Sequence, residues 1–498
     1  MKRLIYFILL LLPLCWMSCD DYDKWTLSKN ARLEFSVDTL SFDTVISTHS
    51  SSTKNLLVWN RNKEGIRISR VALRNGATSH FRANVDGQFL AGGTGDDFEI
   101  RGGDSLFVRL EVKLPASDLD SPVDYEDELL FYMENGSQQS VKLMASALDV
   151  YTIKGQVIDK DTTFKAGRPY LVYDSLVVKE GATLMLEPGV CLMFHDSVSL
   201  HVHGKLLAEG TIDKPVIFRG DRLDRLFDNL PYDNTSNRWG GIHFYEKSSG
   251  NVMSQCDVHS GQYGVLLDSL CVDVSGEVAL TMKNGVIHNV EGDAFHAQDS
   301  KAMVIGTQIS NSLGNTVSLL GGSYTFVHCT IAQYYPWSYN CGDALYLANT
   351  TNPDDESASH MLHNAYFLNC VIMGRAEDVV MGNIEEYQDY RCNYQFNNCY
   401  IRTVESMDDD RFVNVVYDKD TLNVKTDEFS VGRYGSANFA VIGVDYLFNF
   451  TPDSLSAIRG LADIAVLKQY ECTFDRRGVG RLADGAPDAG AYEFVPNN

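Results

Sequence analysis

The sequence predicts an all-β chain in two parts, an N-terminal β-sandwich followed by a solenoid of short parallel strands. Three observations carry this. Between Leu33 and Leu148, short runs of alternating apolar and polar residues are separated by turn residues. Between 170 and 218 the runs shrink, and each closes at or near a Gly, Pro or Asp. Beyond Cys256 a residue-x-aliphatic step recurs, twice at a spacing of 22 residues.

Length and composition set the limits. A chain of 498 residues holds two or three domains, or one elongated repeat domain. Its 39 glycines against 12 prolines suit many tight turns. A formal net charge of −24 argues against nucleic acid as a partner, because no basic patch is on offer. An anionic polysaccharide would need a local basic cleft or a bound cation.

The first 18 residues have the form of a signal peptide: Lys2 and Arg3 precede an apolar run, Leu4–Leu14, too short to span a bilayer. No later run is long and apolar enough for a transmembrane helix. Ser18-Cys19 at its end resembles a bacterial lipobox, with Trp16 in the place of the usual aliphatic residue. The resemblance implies that Cys19 is the lipidated first residue of the mature chain and that 19–32 is a tether. Asp20, Asp21 and Asp23 resemble the surface-export signals of Bacteroidetes-type lipoproteins, implying a lipid-anchored protein of the outer membrane or cell surface. Two or more acyl chains would be needed, since a single one binds membranes only marginally. The other reading is an ordinary cleaved signal that leaves Cys19 a free thiol.

Six runs in 33–148 read as strands: LEFSVDTLSF, KNLLVWN, IRISRVAL, DSLFVRLEVKL, DELLFYM and SVKLMAS, with turns at Asn75-Gly76 and Asn135-Gly136. The stretch from SFDTV to SRVAL resembles Ig-like sandwiches of the ASPM-SPD-2-Hydin type, which implies a spacer or interaction module.

From 153 to 494 the chain resembles a right-handed parallel β-helix of the pectin-lyase type. Val198, Leu200 and Val202 then point inward, while Ser199, His201 and His203 point outward. The two histidines are about 7 Å apart on one strand. That spacing permits zinc, with His195 the nearest third ligand, but strand alternation alone accounts for it. The repeat aligns Cys256-Asp257-Val258, Gly285-Val286-Ile287, Thr307-Gln308-Ile309, Cys329-Thr330-Ile331, Cys370-Val371-Ile372 and Cys399-Tyr400-Ile401. Cys329, Cys370 and Cys399, each preceded by His328, Asn369 or Asn398, are expected to stack as small buried hydrophobes. Nine cysteines beyond Cys19, an odd and scattered set with no CxxC pair, do not form a disulfide framework. The C-terminal run RGVGRLADGAPDAGAYEF resembles the terminal motif of choice-of-anchor Q proteins, expected to cap the solenoid's open end.

A second register lies eight residues after the first: Gly264, Asp293, Asn315 and Asp378, with Asp343 joining if the loop around YYPWSY is an insertion. Stacked carboxylates about 5 Å apart repel unless calcium binds or their pKa values rise. Asp343 and Asp378 are the calcium candidates, and no other cofactor is expected. The structural reading is an Asx turn opening each following strand. On the β-helix, a lyase would use a Lys or Arg base with Asp293, Asp343 and Asp378 around calcium. A glycosidase would need two of these carboxylates about 5–10 Å apart.

Two long loops supply candidate ligand contacts. One carries Tyr334, Tyr335, Trp337 and Tyr339, whose rings can stack on sugar. The other carries Arg222, Arg225 and Arg238, a positive exception in an acidic chain, followed by Trp239, expected to open a strand. The expectation is therefore a surface lipoprotein that binds or displays, toward glycan or another extracellular macromolecule. The alternatives are a carbohydrate-active lyase or hydrolase and a structural stalk.

Overall fold

The computed structural model describes residues 24–496, apart from 228, 269–275, 377, 386–391, 404–408, 419–436, 438 and 445. The leader, Cys19 and Cys271 lie outside the described residues. The chain divides into two compact units, Met1–Asp149 and Val150–Asn498.

The first unit is a sandwich of two five-stranded sheets. One sheet holds Glu34–Phe35, Lys54–Trp59, Ser105–Val112, Phe81–Val85 and Gln88–Phe89; the other holds Thr39–Ile46, Gln138–Leu148, Val123–Met133, Ile66–Leu73 and Thr94–Ile100. Alternation puts Leu56, Val58, Val108 and Leu110 of the first sheet and Ile68, Val71, Phe131 and Leu143 of the second into one core. Asn135-Gly136 makes the expected hairpin turn, with Gly136 at φ 77° and its N–H donating to the Met133 carbonyl. Asn75-Gly76 instead opens a single 3₁₀ turn that leads to a strand of the opposite sheet. The segment read as a tether is partly docked. The Trp25 indole fills the space where a Gly65 Cβ would stand, Arg67 lies 4.8 Å over its ring, and Ala31 and Leu33 are buried.

The second unit is a three-faced coil of parallel strands, and the all-β solenoid is its fold. One coil shows the pattern: Lys301–Ile305 on a first face, Gln308–Ser312 on a second and Val317–Leu320 on a third, before Gly322–Val327 starts the next coil on the first face. Each strand pairs in parallel with its successor one coil on, as Val286 with Gln308 and Gln308 with Thr330. The first face is a ten-stranded sheet, and the other two run together as an eighteen-stranded one. Strands are mostly four or five residues because each must turn a corner before the next face. Inward positions stack like on like. Phe326, Phe367, Phe396 and Phe412 follow one another with ring centroids 5.1, 4.7 and 5.1 Å apart, about the spacing of neighbouring strands. The cysteine ladder is buried, and each thiol donates to a carbonyl of the preceding coil: Cys329 to Val304, Cys370 to Phe326 and Cys399 to Phe367.

The C-terminal motif takes a different place from the expected cap. It lies along the outward side of the second face, where Ala332, Val371, Met373 and Tyr400 would otherwise expose apolar surface. Ala489, Ala491 and Tyr492 cover them; the Ala491 N–H donates to Thr330 Oγ1 at 2.9 Å and the Tyr492 hydroxyl to Gln308 Oε1 at 2.5 Å. The segment thus covers the apolar outward residues of this flank and bonds its polar ones.

Candidate functional site

The corner between the second and third faces carries both long loops. One runs from Asp221 to Gly240, between the strands Val216–Gly220 and Gly241–Phe244; the other runs from Tyr334 to Ala344, between Thr330–Gln333 and Leu345–Ala348. They meet where Ser236 Oγ and the Tyr335 hydroxyl lie 2.7 Å apart.

The predicted Asp register runs up this corner as a backbone ladder. Gly264 N–H donates to the Asp293 carbonyl, Ala294 N–H to Asn315 and Thr316 N–H to Asp343. The side chains cap their neighbours. Asp293 Oδ1 accepts from the Asn315 N–H at 2.8 Å, and Asn315 Oδ1 accepts from the Asp343 N–H at 3.0 Å. The second Asp293 oxygen lies 3.1 Å from His296 Nδ1. Asp378 accepts from Val380 N–H and the Thr403 hydroxyl, both at 3.2 Å. Among the described residues, Asp343 alone of these carboxylates spends neither oxygen; burial and then the charge of Asp378 push its pKa up.

The loop residues divide. Tyr335 was a candidate ligand contact, but it is 5% exposed. Its hydroxyl is used on Ser236, so it fastens loop to loop. Trp337 and Tyr339 are exposed, at 36% and 67%. Trp337 stacks on Tyr446 at 4.6 Å, and the Arg375 guanidinium lies 5.5 Å from the Tyr339 ring. Arg222 pairs with Asp224, and Arg222 and Arg238 both lie against Tyr232, at 3.8 and 4.6 Å. Arg225 sits in an exposed two-stranded hairpin with Leu230–Pro231. Trp239 precedes its strand and is buried, stacked on Phe194 at 4.5 Å with its indole N–H on the His259 carbonyl.

His201 and His203, on and just past the strand Ser199–Val202, face outward as alternation requires. His201 Nδ1 lies 2.8 Å from the Tyr245 hydroxyl, and the His203 ring stacks on Tyr245 at 4.1 Å. Ser199, expected outward, is covered by Gly240, whose missing Cβ leaves room for the Ser199 hydroxyl. His195 pairs with Asp221 at 2.6 Å, away from that group.

A tighter cluster went unseen in the sequence. Asp257 Oδ1 lies 2.9 Å from His259 Nδ1 and 3.4 Å from His288 Nε2. His259 Nε2 is 3.4 Å from Asp233 of the first long loop, and Asp233 is held by Arg219 at 2.9 Å. His259 and His288 are register partners on adjacent coils. Burial opposes a charged ring at His259, but Asp257 and Asp233 raise its pKa to about 9. Burial also opposes ionisation of Asp257, yet the two histidines hold its carboxyl well below the usual range. The signal was available: the 29-residue step from Cys256 to Gly285 also carries His259 onto His288.

No family model matches the chain, and no curated protein does. Among solved structures it is similar to the catalytic domain of a GH87 alpha-1,3-glucanase in complex with tetrasaccharides, at 10% identity over 73% of this chain and 86% of that one, TM-score 0.21. It is also similar to a family 123 glycoside hydrolase from Clostridium perfringens, at 8% identity over 23% of this chain, TM-score 0.17; the match spans 26% of the hydrolase. The ASH/PapD-like domain of human CEP192 matches at 12% identity over 24% of this chain and 87% of that one, TM-score 0.16. Likenesses this distant carry no argument about activity, and the fold rests on the strand pairings above.

Proposed function

We propose that the chain is a lipid-anchored protein of the outer membrane or cell surface. It binds glycan, or another extracellular macromolecule, at the corner where its two long loops meet. Catalysis on this corner would need two carboxylates free to hold and pass a proton. One observation carries the choice of binding over cleavage: Asp293 and Asp378 each commit both oxygens to the turns around them, leaving Asp343 alone. Beside it, Trp337 and Tyr339 offer exposed ring faces of the kind that stack on sugars. Two of the three arginines of the first loop, Arg222 and Arg238, are engaged by Asp224 and Tyr232, which weakens the corner as a basic cleft for a uronate. Lipid on Cys19 would tether it; Cys19→Ala should free the chain from washed membranes, and retention there would refute the anchor.

The test is retention of the purified chain on immobilised neutral and uronate polysaccharides, with reducing ends and unsaturated products followed in parallel, in calcium and in chelator. Trp337→Ala/Tyr339→Ala should weaken retention by about tenfold, the loss expected for one or two ring contacts. Turnover abolished by Asp343→Asn would replace binding with catalysis. Asp343 is the group that favours this second reading, because its raised pKa suits a general acid.

A further inference from the structure

We propose that Asp257, His259 and His288 form a divalent metal site of zinc type on the second face, with Asp233 and Arg219 as its outer support. The proposal does not depend on the glycan reading. The three candidate ligand atoms lie within 4.8 Å of one another, the one such group among the described residues. Zinc bonds of about 2.0–2.1 Å at tetrahedral angles separate ligand atoms by about 3.3 Å. The observed separations from Asp257 Oδ1, 2.9 Å to His259 and 3.4 Å to His288, bracket that value. Two imidazole nitrogens and one carboxylate oxygen suit zinc better than calcium, which takes oxygen ligands.

The surroundings select the right atoms. His259 Nε2 faces the Asp233 carboxylate, so with an ion bound its N–H would donate there and leave the Nδ1 lone pair for the metal beside Asp257 and His288. Donation of the second ring N–H to a carboxylate is the usual support of a metal-bound histidine. Arg219, the register neighbour of His259 one coil earlier, fixes Asp233 in turn. The parallel coil holds the ligands rigidly, since Asp257 and His259 share one strand and His288 stands on the next. His259 is largely enclosed, while the Asp257 and His288 side chains keep 30% and 22% of their surface, leaving a fourth position open to water. Without metal, Nδ1–H of His259 donates to the Asp257 carboxylate at 2.9 Å, the place the ion would take. Metal and proton therefore compete for one place.

The experiment strips the full purified chain with a chelator, then titrates it with Zn2+ by calorimetry and with Co2+ by visible absorption. One equivalent should bind, with the Co2+ bands of a four-coordinate site. His288→Gln and Asp257→Asn should remove that binding, and Asp233→Asn should weaken it by about 10–100-fold. Thermal unfolding of the metal-free variants checks that they fold. Two results would overturn the site: wild-type chain that takes up no equivalent of either ion, or binding that survives His288→Gln and disappears in His201→Ala/His203→Ala. The wild-type titration decides the matter even if a variant misfolds.

Discussion

The two corners that flank the second face solve one problem in different ways. Between the first and second faces the chain turns on a single residue in the left-handed region. Gln255, Asn284, His328, Asn369, Asn398 and Asn414 occupy it coil after coil, with φ between 49° and 57°. The corner after the second face also starts on left-handed residues, Ser260, Asn289 and Asn311, but then runs through the Asp register before the next strand. A one-residue corner leaves no room for insertion, whereas a corner whose turns are capped by side chains accepts both long loops. Rigidity and variability are thus placed on opposite edges of one face, with the Asp257 cluster between them.

Breaking the tight corner should have the largest effect. Asn369 is fully buried at φ 57°; its amide donates to His328 Nε2 at 2.8 Å and exchanges two bonds with the Asp463 backbone. Asn369→Ala strands those groups and adds left-handed strain, together about 3 kcal/mol or more. Asn369→Gly removes the strain but not the stranded groups, so its melting temperature should fall between that of Ala and wild type. Equal loss in both would assign the whole effect to the side chain.

What was legible follows the same division. The left-handed corner and the cysteine after it keep one local order, although the steps between coils run 29, 22, 22, 41 and 29 residues, and that order aligns the cysteine ladder and the Asp register. Strand alternation placed His201 and His203 outward for the same reason. The phenylalanine stack was in the same register and was missed: Phe326, Phe367 and Phe396 stand three residues before Cys329, Cys370 and Cys399. Two contacts were not legible. The docking of Tyr492 on Gln308 joins residues 184 apart and has no local signature. The 29-residue step aligns His259 with His288, but Asp233, the outer support of that cluster, comes from a loop 26 residues before His259 and had no signal. The sandwich strands Phe81–Val85 and Thr94–Ile100 also escaped; the turn read at Asn75-Gly76 is a crossing between sheets.

The second corner should yield less, and unevenly. Asp293→Ala removes the cap on Asn315 and the partner of His296, a loss of about 1–2 kcal/mol. Asp343→Ala removes a carboxylate that caps nothing and repels Asp378, so the change should be near zero or stabilising. Calcium would reverse this order: if added calcium raises the melting temperature, Asp343→Ala with Asp378→Ala should abolish the rise. No rise in the parent would leave the register as turn caps only.

The smallest effect belongs to the third face and is read by pH. His201 and His243 are register partners with rings 5.6 Å apart. Burial lowers the pKa of both, and at His201 the neighbouring His243 and His203 charges lower it further. The unfolded chain therefore binds more protons than the folded one as pH falls below the ordinary value of 6.5. By linkage, stability then rises with pH in that window: it is whole above about 6.5 and declines below it until the folded rings also protonate. His259, with its pKa raised to about 9, adds a slope of opposite sign above about 6.5, so the wild-type curve alone does not isolate the pair. The difference between wild type and His201→Gln does, because the cluster is common to both. His201→Gln should unfold at nearly the wild-type temperature at pH 8 and lose less of it between pH 7 and 5. Parallel curves would mean that the outward histidine ladder is as open to protons folded as unfolded. The third face would then be solvent-facing surface at this point, in contrast to the covered second face beside it.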